Sequence, residues 1–356
     1  MKYNKYVKAW LILGVVLLFF QIIIGGITRI TGSGLSITKW EIVTGTLPPL
    51  NDQDWQMEFD AYKQTPQYKT INQGMELGSI FEASTFKFIY FWEYFHRLWA
   101  RMMGFIFVFP LLFFILKKWV DRKLLKQLSL VFFGAMMAAV FGWVMVASGL
   151  VNRPWVNAYK LSLHLGIALL TLCFLLWACF QVFVPEKLRI NNPPLRKKIR
   201  IFFLLLCLQI FFGAVVSGMR AALYYPTWPD LNGSYFPAVL LDASSWNMDS
   251  IVNYDSNALM PALIHVLHRN FGYIVYAFGI YLAIKIFRYP LRRIYYTSHI
   301  FLLIFLNLQV LLGILVLINS DGTIPVFFGV MHQLVAILIL SVAVFNIYLF
   351  KKENGA

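Results

Sequence analysis

Long apolar segments alternate with short polar segments along the whole chain, and this pattern predicts eight membrane-spanning helices. A helix that crosses the hydrocarbon core of a bilayer needs about 20 consecutive residues that are mostly apolar. The second and sixth spans are included although each carries His and Arg in its first half, because a long apolar run follows. The predicted spans are Ala9–Ile27, Phe88–Leu116, Leu128–Val151, Leu161–Val184, Ile201–Met219, Leu259–Ile284, Ile294–Ile318 and Thr323–Phe350.

Composition supports an all-α integral membrane protein. Of the 356 residues, 60% are apolar and only 13% are charged, which is about half the charged fraction of a soluble domain. Three cysteines, Cys173, Cys179 and Cys207, all lie inside apolar segments. Their placement excludes a disulfide framework of the secreted type and a CxxC metal site, and it predicts buried, unreactive thiols.

The distribution of basic residues predicts the orientation in the membrane. Most of the 31 Lys and Arg residues lie at the chain termini and in the short loops on one side of the predicted spans. Basic residues mark the cytoplasmic side, so both termini are expected there. Two long outer loops, residues 28–87 and 220–258, fall on the opposite side. The net charge of +15 is therefore explained by the orientation of the chain in the membrane, and membrane lipid is the expected partner of the basic residues. Binding of nucleic acid is not expected, because the charges form no compact patch.

The two halves of the chain repeat the same order of polar positions. The first and fifth spans end with a glutamine and a glycine four residues apart, the second and sixth contain His-Arg, and the fourth and eighth contain a histidine. The matched positions are Gln21/Gly25 with Gln209/Gly213, His96-Arg97 with His268-Arg269, and His164 with His332. Each half has four spans that start on the same side, so the repeats are parallel.

This repeat predicts two four-helix bundles placed side by side. The N-terminal bundle covers residues 1–190 and includes the outer loop 28–87. The C-terminal bundle covers residues 191–356 and includes the outer loop 220–258. Each bundle is expected to hold one bis-histidine site.

Four of the six histidines, His96, His164, His268 and His332, lie about 7–15 Å inside the outer ends of their spans, given the rise of an α-helix. Ionisable residues at that depth are costly and are usually functional. Two imidazoles that face each other across a bundle form an axial site for haem iron. One buried histidine alone is better explained by a structural hydrogen bond, but four at matched depth favour metal ligands. Zinc would need a third or fourth ligand in each group, and the sequence supplies none.

The residues beside these histidines carry further chemistry. Glu93 lies three residues before His96 on the same helix face, where a carboxylate can move protons; a salt bridge to Arg97 or Arg101 is an equal alternative. His265 takes the place of Glu93 in the second half, so the two sites differ. Its role is either proton handling near the site or a structural hydrogen bond. Arg97 and Arg269 are predicted to contact haem propionates, because Arg pairs bidentately with carboxylates.

Several motifs in this chain resemble those of the haem A synthase family. They occur in family order over nearly the whole sequence and comprise GGITRITGSGLSITKW with TGTLPP, FKFIYFWEYFHRLWAR, GWVMVASGLV, HLGIAL, GAVVSG, HVLHRNFGY and GVMHQLVA. The first outer loop has no cysteine, so the chain resembles the cysteine-free branch of the family. Ala138 stands where the second half, and commonly the family, has a glutamine (Gln309).

The resemblance implies an oxidoreductase of the bacterial cell inner membrane that oxidises the C8 methyl of haem O to a formyl group. The product, haem A, serves cytochrome c oxidase. By the resemblance His96 and His164 hold the substrate haem O, Glu93 is the carboxylate near the reacting position, and His268 and His332 hold a haem b cofactor. Contacts with haem O synthase and with cytochrome c oxidase assembly factors, and a homo-oligomer, are also expected.

Two other functions fit part of the pattern. A di-haem b-type membrane electron-transfer protein would have two equivalent sites, and the difference between Glu93 and His265 speaks against it. A haem-handling transporter would bind its substrate at the midplane through broken helices. The four histidines lie away from the midplane and their spans lack central breaks, so the transporter ranks last.

Overall fold

The computed structural model describes residues 3–39 and 47–351, so parts of the predicted outer loop 28–87 and both chain ends lie outside the described residues. Twelve α-helices form within the described ranges. They are α1 (Lys5–Ile30), α2 (Asp52–Lys63), α3 (Pro66–Thr70), α4 (Phe86–Leu116), α5 (Arg122–Asn152), α6 (Ala158–Phe183), α7 (Pro193–Gly218), α8 (Ala221–Tyr224), α9 (Met248–Val252), α10 (Leu259–Phe287), α11 (Arg293–Ile318) and α12 (Val326–Leu349).

Eight of these helices, α1, α4, α5, α6, α7, α10, α11 and α12, are long and apolar enough to cross a membrane. The eight predicted spans and the all-α membrane fold are thereby confirmed. Several helices begin before the apolar segment does. For example, α7 starts at Pro193, eight residues ahead of the predicted Ile201, because Asn192 caps it and two prolines fit its first turn. The eighth span was predicted to start at Thr323 and in fact starts at Val326, after Pro325.

The spanning helices pack around a shared centre. In the first half α1 packs against α4 and α6, and α5 packs against α6; in the second half α7 packs against α10 and α12, and α11 packs against α12. The inner helices α1, α6, α7 and α12 also pack across the two halves, and one continuous apolar core runs through both. The division into bundles at residues 190 and 191 stays a prediction.

One difference between the halves lies in the outer helices. In the second half α10 packs along α11. In the first half, the described residues of α4 and α5 approach each other at few places, one of which is the stacked pair of Phe107 and Phe132, whose ring centres are 6.4 Å apart.

The first outer loop contains helices that hydropathy did not predict. Asn51 caps α2 by accepting from the Asp54 amide, and Pro66 begins α3. Phe59 and Tyr62 of α2 pack on the first turn of α4 at Phe86. The described part of this loop therefore lies on the end of the helix that carries His96. We call this side of the molecule the loop side.

Two arginines join the halves on the loop side. The Arg29 guanidinium donates to the carbonyls of Ser217 (2.6 Å) and Gly218 (2.8 Å), the last residues of α7. Arg220, which follows α7, donates to the carbonyl of Ile30 at the end of α1 (3.4 Å) and stacks 3.7 Å from the ring centre of Trp155. Burial lowers the pKa of Arg220 to about 10, so it stays charged at neutral pH. Each arginine satisfies terminal carbonyls that have no partner in their own helix and carry partial negative charge.

We expect Arg29→Ala to lower the free energy of unfolding by about 2 kcal/mol or more, since hydrogen bonds from a charged donor contribute about 1.5–3 kcal/mol each. The measurement is unfolding in mixed detergent micelles followed by tryptophan fluorescence. Arg122→Ala is the matched control, because Arg122 is exposed on the opposite side. Equal stability of the two variants would contradict the bridging role of Arg29.

Candidate functional site

The four repeat-matched histidines lie inside the helices as two pairs. The ring centres of His268 and His332 are 6.4 Å apart, with the ring planes at 78°. Two metal–nitrogen bonds of about 2 Å, with about 1 Å from each ring centre to its nitrogen, place the rings of an axial pair about 6 Å apart. The second pair therefore has the spacing of a bis-histidine iron site. His96 on α4 and His164 on α6 occupy the equivalent places in the first half.

A glycine on the preceding spanning helix lies against each of the four rings. A Cβ atom built on these glycines would lie about 3 Å from the imidazole Cε1, closer than most real Cβ contacts. The distances are 3.0 Å from Gly25 to His96, 3.0 Å from Gly142 to His164, 2.9 Å from Gly213 to His268 and 3.0 Å from Gly313 to His332. The missing side chain leaves room for the ring, so each glycine fixes where its histidine can lie.

Backbone carbonyls orient one ring of each pair. The Nδ1 atom of His164 lies 2.9 Å from the Ala138 carbonyl, and that of His332 lies 3.0 Å from the Gln309 carbonyl. A carbonyl only accepts, so Nδ1 carries the proton and donates in both rings, and Nε2 keeps its lone pair. A neutral imidazole whose Nε2 lone pair is available is the form that binds metal. Both rings are in this tautomer; the amide of Gln309 lies 3.1 Å from His332 Nε2 and would have to turn away for iron to bind there.

Glutamines one turn before the glycines contact three of the four histidines. Gln21 Nε2 lies 3.2 Å from His96 Nδ1 and 3.3 Å from its Nε2. Gln209 donates to the His268 carbonyl at 2.9 Å, and Gln309 Nε2 lies 3.1 Å from His332 Nε2. The fourth position is Ala138, which offers only its carbonyl. The pair in the first half therefore has one polar side chain fewer.

Glu93 is buried, with 3% of its surface exposed, and four hydrogen bonds hold its carboxylate. Its Oε2 accepts from the Ser36 amide (2.7 Å), the Ser36 hydroxyl (2.7 Å) and the Ile37 amide (2.9 Å). Its Oε1 accepts from Arg97 Nη2 at 2.5 Å. The salt bridge that the sequence offered as one alternative is thus formed. The carboxylate also ties the first outer loop to α4, three residues from His96.

Arg97 lies at the edge of a polar cavity between α4 and the first outer loop. The cavity has a volume of about 230 Å³, and Lys39, Glu58, Tyr94 and Arg101 are among its lining residues. Arg97 also approaches the Lys39 carbonyl at 3.5 Å. Its predicted contact with a haem propionate stays a prediction; the cavity places a second guanidinium, that of Arg101, beside it.

Arg269 ties the second outer loop to α10. Its guanidinium donates to the carbonyls of Thr227 (3.0 Å), Pro229 (2.8 Å) and Asp230 (2.6 Å). His265 is 2% exposed, and its Nε2 lies 3.5 Å from Arg269 Nη2. Propionate contact of Arg269 also stays a prediction. In both halves the arginine after the histidine contacts backbone carbonyls of an outer loop.

Some of these contacts were not found from the sequence. The partners of Glu93 at Ser36 and Ile37 are 57 and 56 residues away, and the motif in which they lie does not indicate that they bind Glu93. The glycines that lie against the histidine rings follow a pattern that is visible in the sequence. A glycine four residues after a glutamine, or after Ala138, recurs in α1, α5, α7 and α11. The sixth histidine, His299, is fully buried on α11 and donates through Nδ1 to the Tyr295 carbonyl at 2.9 Å, which agrees with a structural role.

Comparison with known proteins identifies the family. The family model described as cytochrome oxidase assembly protein (COX15-CtaA) matches residues 8–344. A "Heme A synthase" of Flavobacterium johnsoniae is 36% identical over 353 residues, which is 99% of each chain. That of Flavobacterium psychrophilum is 34% identical over 354 residues, 99% of this chain and 100% of the relative. That of Pelagibacter ubique is 36% identical over 353 residues, 99% of this chain and 98% of the relative. The chain therefore belongs to the cytochrome oxidase assembly protein family, as its sequence motifs led us to expect.

Proposed function

We propose that this protein is a haem A synthase, an oxidoreductase that converts the C8 methyl group of haem O to a formyl group. The observation that carries the proposal is the pair of matched histidine sites with different neighbours, Glu93 in the first half and His265 in the second. Relatives that bear this name and align over 99% of the chain support it. Two sites with matched histidines but different adjacent residues are expected when one site binds the substrate that reacts and the other transfers electrons.

The second half is assigned to a haem b cofactor and the first half to haem O. His268 and His332 would bind the cofactor iron, and the carbonyl of Gln309 orients the His332 ring. His96 and His164 would bind the substrate iron, with Ala138 orienting His164. The bound haem b supplies reversible one-electron chemistry. The protein's own contribution is to fix four imidazoles between glycines and to place one carboxylate, Glu93, beside the substrate site.

Glu93 is the candidate group for proton handling. Arg97 and two backbone amides hold its carboxyl group in one orientation, three residues before His96. Preorganised acid–base groups of this kind contribute about 10²–10⁴-fold to reaction rates. A histidine, His265, stands at the equivalent place in the second half, and this difference supports the division of roles.

The proposed location is the cell inner membrane with both termini in the cytoplasm. The Lys and Arg distribution and the eight spanning helices support this orientation. The loop side, and with it the four histidines, then faces outward. Haem O synthase, as the enzyme that makes the substrate, and cytochrome c oxidase assembly factors are the proposed protein partners; a homo-oligomer is also proposed.

The test is haem extraction and chromatography of the purified protein, expressed with and without a haem O synthase. We expect haem B in both samples, and haem A only when haem O is supplied. Haem B alone under both conditions would favour the di-haem electron-transfer alternative. Absence of any haem would overturn the assignment of the four histidines.

A further inference from the structure

His265 is a buried polar side chain with an unused hydrogen-bonding atom. Only 2% of its surface is exposed, and its Nδ1 has no hydrogen-bond partner among the described residues. It lies one turn nearer the loop side than His268 on the same helix. The aromatic ring of Tyr225 covers one side of it, with ring centres 6.2 Å apart. A buried donor without a partner costs about 1–3 kcal/mol, so such an atom points to a ligand.

Arg269, its neighbour, is buried and forms no ion pair with an acid among the described residues. The three groups that bind it are backbone carbonyls, and its Nε has no partner among the described residues. The carboxylate of Asp230 attracts Arg269 from beyond ion-pair distance, and its Oδ1 accepts from Thr227 Oγ1 at 2.8 Å and from the Gly233 amide at 3.2 Å. Carbonyl dipoles hold the guanidinium but do not neutralise its charge, and buried charges are normally paired.

The first half shows what occupies the same place there. Glu93 and Arg97 are the repeat equivalents of His265 and Arg269, and they form an ion pair of 2.5 Å. The first half thus carries its own carboxylate at this position. In the second half a histidine, His265, replaces that acid. The guanidinium of Arg269 therefore has no carboxylate ion-paired to it among the described residues.

We propose that His265 and Arg269 together bind a carboxylate. Because this inference rests on the proposed function, the carboxylate is a propionate of the haem b held by His268 and His332. Arg269 supplies the charge and His265 Nδ1 supplies a directed hydrogen bond. His265 is then a ligand-binding residue of the cofactor site rather than a structural histidine or a counterpart of Glu93 in proton handling. In the first half Glu93 already pairs with the equivalent guanidinium, that of Arg97.

The test compares iron protoporphyrin IX with its dimethyl ester, which has no carboxylates. All samples are the full chain with His96→Ala and His164→Ala, so that only the second half offers two axial imidazoles. We expect His265→Leu to weaken binding of iron protoporphyrin IX about 10- to 100-fold, the effect of losing one hydrogen bond to a charged group. Binding of the dimethyl ester should change by less than about threefold.

His265→Gln is the conservative variant, because its amide can still donate, and it should retain most of the affinity for iron protoporphyrin IX. Binding of the ester by the same preparations shows that each variant is folded. An equal loss for both ligands, or no loss for either, would overturn the inference while leaving the proposed function intact. If the parent chain bound neither ligand, the proposed function and this inference would both be wrong.

Discussion

Glu93→Gln is expected to abolish formation of haem A, with a loss of at least about hundredfold, while the protein keeps its haem. The substitution removes the negative charge but little volume. Arg97 loses its ion-pair partner, and the amide cannot take up and release a proton as the carboxylate can. The histidines proposed to bind haem are untouched, because Glu93 hydrogen bonds to the loop and to Arg97 rather than to their rings. Conversion of haem O by purified protein, with haem content measured in parallel, gives both quantities.

Two further variants separate the charge of Glu93 from its contact with the loop. Ser36→Ala removes one donor to Oε2 but leaves the carboxylate and the backbone amides in place. It should lower turnover by no more than about tenfold, the value of one hydrogen bond. Glu82→Gln alters an exposed acid of the same outer loop and should be silent. A Glu93→Gln protein that still makes haem A would disprove the assignment, and a Ser36→Ala protein as inactive as Glu93→Gln would make the carboxylate a loop anchor.

Gly213→Val is expected to remove most haem from the second half, a loss of about hundredfold in affinity. Even a Cβ atom at Gly213 would lie 2.9 Å from His268 Cε1, and the branched side chain of valine would occupy space that the ring needs. His268 would have to move off the axis that it shares with His332, and displacement of a functional group by about 1 Å commonly costs about 10²-fold. Optical spectra report the change, because loss of one axial imidazole converts low-spin iron to high-spin iron.

Gly166→Val is the matched control for that experiment. Gly166 is also a glycine of a spanning helix, two residues from His164, but a Cβ atom there would meet nothing within 4 Å. Both variants carry the same cost of a β-branched residue in a helix. Low-spin spectra of normal intensity from Gly213→Val would show that the contact with the ring does not determine the position of His268.

The sequence predicted the parts of this structure that depend on local pattern. Eight helices follow from apolar length alone, and four histidines at equivalent positions of a repeat were enough to expect two pairs. Contacts between distant segments carried no such signal. Arg29 and Ser217 are 188 residues apart, and nothing in either neighbourhood marks them as partners. Glu93 offered a proton-moving group or a salt bridge, and only the folded loop shows that two amides and a hydroxyl also bind it.

The partners of the arginines next to the histidines could not be predicted from the sequence either. Arg97 and Arg269 were assigned to propionates because of their place in the repeat. In the structure their nearest partners are Glu93 for one and three loop carbonyls for the other. A repeat predicts equivalent positions, but the partner at each position depends on the loop that folds over it. The two outer loops of this chain have different lengths and sequences, so the two sites have diverged where the loops contact them.

The two arginine bridges between α1 and α7 limit how the two halves of the chain can be duplicated or reordered. Arg29 lies at a position of the repeat where the second half has Ser217, so the two bridging residues are not copies of each other. A protein made of two identical N-terminal halves would bring two Arg29 guanidinium groups together and would have no Arg220. A circular permutant that begins near residue 191 would keep both bridges, because neither depends on the order in which the halves are synthesised. At this contact the two halves therefore depend on each other and are not interchangeable.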